Sequence, residues 1–218
     1  MMKLRWSWHP ADRCSWSRWV APFVLGLAVL AGCSDGGAHG EVDPLDAPEV
    51  TTPLDPADFT DNPCRLVPEE VLRENELSPE GKPNPDYSED LGKFEKFKAP
   101  GCTWNAEGLR VYFVTLRIRD YSDSTYKGIA NAYHGKQTGW YHDVRPWQVP
   151  GRPGNPAVVA QDLEDESSCK AIVGLTKDLA LEFLLLDAHN DVGGCDRTKS
   201  LAEAAVKTLV EHHEKSGT

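Results

Sequence analysis

Cys33 is the residue whose neighbours define a reaction. It closes Leu30-Ala31-Gly32-Cys33 at the end of an apolar run from Val20 to Ala31, behind a basic, Trp-rich stretch carrying Lys3, Arg5, Arg13 and Arg18. Small residues before a cysteine at that end of a secretory core form the pattern of a bacterial lipobox. The chemistry is alkylation of the thiol by a diacylglycerol, cleavage before Cys33, and acylation of the new amine. Two acyl chains anchor firmly where one does not, because each buried CH₂ contributes ~0.8 kcal/mol. The competing readings are an ordinary signal cleaved near Gly32 and an uncleaved anchor helix. The run is too short to span a bilayer, which takes ~20 apolar residues.

Five further cysteines follow a different logic. Cys14 falls inside the expected signal, leaving Cys64, Cys102, Cys169 and Cys195. An even number in an exported chain implies two disulfides. Of three possible pairings we favour Cys64 with Cys102 and Cys169 with Cys195, since each joins elements adjacent in sequence. On the chain-entropy account each bridge contributes ~3.5 to 4 kcal/mol. Zinc is disfavoured: no C-x-x-C occurs and no histidine stands at ligand spacing. No metal or cofactor site is expected.

Catalytic patterns are sparse. The chain has no G-x-S-x-G, H-E-x-x-H or P-loop. Ser124 to Lys127 and Ser167 to Lys170 match S-x-x-K, the nucleophile pattern of penicillin-binding enzymes, yet S-D-N and K-T-G are missing. His134 and His142 have no evident acid or nucleophile beside them, and His212-His213 reads as positive charge at a helix C-terminus. Asp187, His189, Asn190 and Asp191 before Gly193-Gly194 carry oxygen ligands for a hard cation, but the spacing is not that of an EF-hand, and a helix-capping connector explains them better. Trp140, Tyr141, Arg145 and Trp147 combine the residue types enriched at interaction hot spots. They are the candidate interaction surface, within the stretch from Gly139 to Gly154; packing as core aromatics is the alternative.

Charge narrows the partners. The whole chain carries a net charge of −11, and loss of a signal with four basic residues and one acid makes the remainder more acidic. Such a polyanion repels nucleic acid and anionic headgroups, so nucleic acid is not an expected partner. From Ser34 to Asp61 the chain lacks hydrophobic periodicity and is rich in Gly, Pro and acids. The expected organisation is a signal over 1–32, a disordered acidic Pro/Gly linker over 33–61, and an extracytoplasmic domain over 62–214. As a flexible coil that linker would reach roughly 30 Å. Thr51-Thr52-Pro53 is a candidate for glycosylation or a plain spacer.

The elements that must position these residues begin at Pro68, which suits N1 of a helix with Glu69 and Glu70 at its positive end. A polar loop follows through Pro85. Residues 101–104 and 109–119 read as strands, the second with a phase flip that predicts a bulge near Thr115 or burial on both faces. Ser122-Asp123-Ser124 supplies caps for a helix with a stripe of Tyr126, Ile129, Ala130 and Tyr133, ending near Gly139. Strands are expected over 144–149 and 157–161, and a hairpin over 170–175 and 179–186. A last helix carries Leu201, Ala205 and Leu209. The order predicts an α+β fold: one antiparallel sheet of about five or six strands, stapled by disulfides, with two to three helices packed on it.

These residues carry a resemblance. Pro-Cys-x-Leu-x-Pro-Glu-Glu at 63–70, Gly-Cys-x-Trp at 101–104, a Val-Pro-Gly turn entering a strand at 149–160, and Cys-Asp before an Ala-rich helix at 195–205 occur in that order behind the lipobox. Over residues 30–212 the chain resembles actinobacterial lipoproteins of the domain-of-unknown-function family 3558. It departs from them in having Val67 where Thr is usual, and in its Gly154-Asn155-Pro156-Ala157 turn. The resemblance implies placement at the outer face of the cell membrane through the lipid on Cys33, and no catalytic residue. The expected role is a non-enzymatic binding or scaffolding module meeting an envelope protein or small ligand. A structural accessory without a ligand and an envelope hydrolase are the alternatives.

Overall fold

The computed structural model describes residues 47–85, 88–90, 96–107, 112–162, 168–187 and 194–216. Cys33, the expected signal and the first part of the expected linker lie outside them.

Seven strands form one antiparallel sheet in the order β1-β4-β5-β9-β8-β7-β6. They are β1 (Lys82–Asn84), β4 (Gly101–Asn105), β5 (Tyr112–Asp120), β6 (Tyr141–Gln148), β7 (Pro156–Asp162), β8 (Ser168–Gly174) and β9 (Leu179–Asp187). A separate hairpin pairs β2 (Ser88–Asp90) with β3 (Lys96–Lys98). The helices are α1 (Glu69–Glu74), α2 (Ala130–Gln137) and α3 (Gly194–Ser216). The α+β class holds, with one strand more than expected. That strand, β1, comes from the stretch read as a polar loop; it pairs with β4 and is exposed along its length.

Alternation along the central strands gives the sheet two buried faces. Val114, Leu116 and Ile118 of β5 and Leu181, Phe183 and Leu185 of β9 share one side, where Leu201, Ala202, Ala205, Val206 and Leu209 of α3 cover them. On the other side Val158, Ala160, Ile172 and Ala180 meet Ile129, Ala132 and Tyr133. The bulge expected near Thr115 does not occur, since β5 keeps an unbroken register with β4 and β9; Leu109 and Val111 lie outside the described residues. The odd side of β5 is only partly covered, and Phe113 is 38% exposed.

Both expected bridges are present. Cys64 joins Cys102, and Cys169 joins Cys195, with Cα separations of 5.1 and 5.2 Å. The spacing in Gly-Cys-x-Trp follows from a strand's period of two: Cys102 and Trp104 point to the same core face. A Cβ on Gly81 would sit 2.5 Å from Trp104 Nε1 and within 2.9 Å of both sulfurs of the first bridge, so only glycine passes there.

One local expectation fails for a polar reason. The helix foreseen from Ser122 begins only at Ala130, because Asp120 Oδ1 accepts from Ser122 N and Ser124 Oγ from Tyr126 N, holding turns instead. Gly128 then turns left-handed at φ 51° against the Lys177 carbonyl. The far end fulfils its signal: Gly139 at φ 79° closes α2, with Trp140 N donating to Gly135 O and Gly139 N to Lys136 O.

The larger correction concerns residues 47–61, expected as linker. This strap packs on the domain. Thr51 N and Thr52 N donate to Gly154 O, and Leu54 N to Leu175 O. Asn155 is fully buried, and its Nδ2 donates to Thr52 O at 2.9 Å and Gly174 O at 3.0 Å. The departure at Gly154-Asn155 is therefore the seat of the strap: a Cβ on Gly154 would lie 1.8 Å from Thr52 Oγ1. Leu54 and Phe59 reach the main core. Farther on, Phe59 meets His212 edge-on at 5.1 Å, and His212 Nε2 stands 3.6 Å from Asp58, so His212 fastens the strap rather than only ending a helix.

Candidate functional site

The four residues expected to form one interaction surface are divided by a bulge. The register of β6 against β7 shifts between Tyr141 and Asp143, placing His142 out of the ladder. Tyr141 consequently packs with the second core, over Gly135, while Trp147 packs against the main one. Arg145 is exposed and pairs with Asp143 at 3.0 Å. Trp140, beyond the end of α2, is 55% exposed. They do not make a single patch.

The turn that follows β6 does form part of a concavity. Val149, Pro150 and Arg152 face α1 and α3 across a cleft of about 410 Å³, whose apolar lining includes Val71, Val206 and Val210. Its rim carries Glu74, Glu203 and Glu211 against Arg152 and Lys207. Both cations are engaged: Lys207 Nζ stands 3.9 Å from Glu211, and Arg152 Nε donates to Asn155 Oδ1 at 3.2 Å. Burial in the wall raises the Glu203 carboxyl above the usual range, against the attraction of Lys199. Lys199 makes its 2.7 Å contact with Asp196 instead. Neither α1 nor α3 was singled out from sequence for this role.

The opposite face holds a buried polar network. Arg119 meets Glu182 twice, Nε to Oε2 at 3.0 Å and Nη2 to Oε1 at 3.1 Å. Lys170 pairs with Asp162 at 2.9 Å and lies 4.9 Å over the Tyr141 ring, and Ser168 Oγ donates to Asp162 Oδ2. Burial pushes the Glu182 carboxyl upward, but Arg119, Lys170 and Arg117 outweigh it and hold it below the usual glutamate range. Tyr121 beside them is driven far above the phenol range by burial.

The first S-x-x-K match does not assemble a nucleophile. Lys127 pairs with Asp178 at 3.3 Å, while Ser124 is spent on the Tyr126 turn. Ser167 lies outside the described residues, as do His189, Asn190 and Asp191; Asp187 ends β9. His134 stacks on Tyr126 with ring centroids 3.9 Å apart, and His142 is exposed at the bulge.

The fold and its cleft define a class: a disulfide-stapled antiparallel α+β domain with a helix-walled groove. A family model described as "protein of unknown function (DUF3558)" matches residues 28–208, and the chain belongs to that family. No curated protein and no solved structure matched.

Proposed function

We propose that this chain is a lipid-anchored, extracytoplasmic binding module, held to the membrane through Cys33 and non-enzymatic. The observation that carries the reading is the partition of the cysteines. Four pair with one another inside the domain, an arrangement suited to an oxidising compartment, and Cys33 stays outside that pairing within the lipobox. The strap adds a bound on reach. Because the strap is already bound to the domain at Thr51, ahead of Asn62, the covalent path from Cys33 to that contact extends at most about 65 Å, at ~3.6 Å per residue.

Mass spectrometry of the N-terminal peptide from membrane-extracted protein tests the anchor, with detergent-phase partitioning of the intact chain beside a Cys33→Ala control. A diacylglyceryl cysteine at the new N-terminus, and transfer of the control to the aqueous phase, are the expected results. An unmodified Cys33 would defeat the reading.

A further inference from the structure

We infer that the cleft between α1, α3 and the Val149–Arg152 turn binds a small organic cation with an apolar body, such as an alkylammonium. The inference rests on the binding-module reading and assigns its ligand class. The cleft's volume of about 410 Å³ falls in the ~300 to 1,000 Å³ range of small-molecule sites. Its walls offer Val71 from α1, Val149 from the turn, and Val206 and Val210 from α3. Three separate elements thus supply the apolar surface.

Charge selects the sign of the ligand. The lining carries three carboxylates, Glu74, Glu203 and Glu211, against Arg152 and Lys207; Lys207 stands 3.9 Å from Glu211, and Arg152 keeps its charge while its Nε donates to the neutral Asn155 amide, so the cleft retains an excess of negative charge. Among the described residues no cation forms an ion pair with Glu74 or Glu203. An anionic ligand would bring its charge towards those two carboxylates, and a neutral one would cover them without replacing the lost water. An ammonium group meets them as a counter-charge while its alkyl chain covers the valines. Burial already disfavours the ionised Glu203, so a cation there restores what desolvation removes.

The test uses the full chain with Cys33→Ala, so that no lipid competes for the probes. Hexyltrimethylammonium, hexanesulfonate and hexanol are titrated in turn while amide resonances are followed by NMR. The expected result is saturable shifts at Val149 to Arg152 and at Ser200 to Glu211, with the cation binding roughly tenfold more tightly than the anion. Glu203→Gln and Glu74→Gln should each weaken the cation and leave the thermal midpoint in place, and Ala204→Trp should abolish binding by filling the cleft. Saturable binding of hexanol or hexanesulfonate as tight as that of the cation would overturn the charge assignment and keep the binding module. No saturable shift with any of the three would overturn the small-ligand assignment, while the anchored-module reading stands or falls separately on the state of Cys33. Binding of a lysine-flanked leucine peptide where hexyltrimethylammonium fails would assign the cleft to a protein partner instead.

Discussion

Replacing Glu182 by leucine should be the most damaging single change in the second face of the sheet. Glu182 has 1% of its side chain exposed and Arg119 11%, and two contacts of 3.0 and 3.1 Å join them. Removing the carboxylate takes the bidentate counter-charge from a guanidinium whose side chain is only 11% exposed. Breaking one partner of such a pair costs about 3 to 5 kcal/mol, whereas replacing both by apolar groups of similar volume is often neutral or stabilising. Glu182→Leu and Arg119→Met should therefore each lose several kcal/mol in urea unfolding with the disulfides intact. The double variant should recover most of that loss, giving a coupling energy of at least about 2 kcal/mol.

The same pair sets a pH dependence. The Glu182 carboxyl is held below its ordinary value in the fold, so the unfolded chain takes up its proton first as pH falls. The stability it contributes is complete above the unfolded value of about 4.3 and is lost as pH drops through the lower folded value. Between pH 7 and 3 the wild type should lose more stability than the double variant. Single variants that each cost under about 1 kcal/mol would refute the reasoning, because they would show that water reaches the pair.

Asn155→Ala removes two buried donors from the Thr52 and Gly174 carbonyls, and at ~1 kcal/mol for each hydrogen bond should cost about 2 kcal/mol; hydrogen exchange should then rise at Thr51, Thr52 and Leu54. Gly154→Ala should loosen the strap in the same assay, since its Cβ would collide with Thr52. Loss of the Cys64–Cys102 bridge, by alanine at both positions, should cost about 4 kcal/mol on the chain-entropy account for its separation of 38 residues, measured as the change in unfolding free energy. Glu76 sits left-handed at φ 58° where α1 closes, with Leu77 N donating to Leu72 O, and its carboxylate meets Arg197 at 2.9 Å. Glu76→Gly should relieve about 1 kcal/mol of backbone strain while losing that ion pair, so a net change beyond about 1 kcal/mol in either direction counts against the balance.

What could be read in the sequence was whatever a local pattern enforces. The hairpin of β8 and β9 shows in the alternation of Leu179, Leu181, Phe183 and Leu185, and α3 in a stripe that stays in phase over several turns. The disulfides were legible because pairing each cysteine with the next along the chain keeps the loops short, at separations of 38 and 26 residues, even though other elements lie between the ones each bridge joins. β1 was not: Lys82-Pro83-Asn84 has no apolar member, and its strand conformation is dictated by the edge of β4. The start of β6 was hidden for the opposite reason, since the bulge at His142 shifts the phase and breaks the alternation a reader follows.

The strap and the cleft mark where local reading stops. In residues 47–61 only Leu54 and Phe59 signal burial, against a background of prolines and acids that reads as linker, and what holds the strap is mostly backbone hydrogen bonding to turns about a hundred residues away. The cleft needs Val71, Val149 and Val210 side by side. No spacing in the chain announces that, because α1 reaches α3 through the α3-covered side of the sheet, and the turn enters only once β6 and β7 are paired. The stretch from Gly139 to Gly154 drew attention for its aromatics, yet its contribution to the cleft is a valine, a proline and an arginine. Arg152 is held by the same Asn155 that secures the strap, so a change at the strap should alter the charge balance of the cleft. Asn155→Ala should therefore weaken the preference for hexyltrimethylammonium by freeing Arg152 towards Glu203, even though Asn155 does not line the cleft.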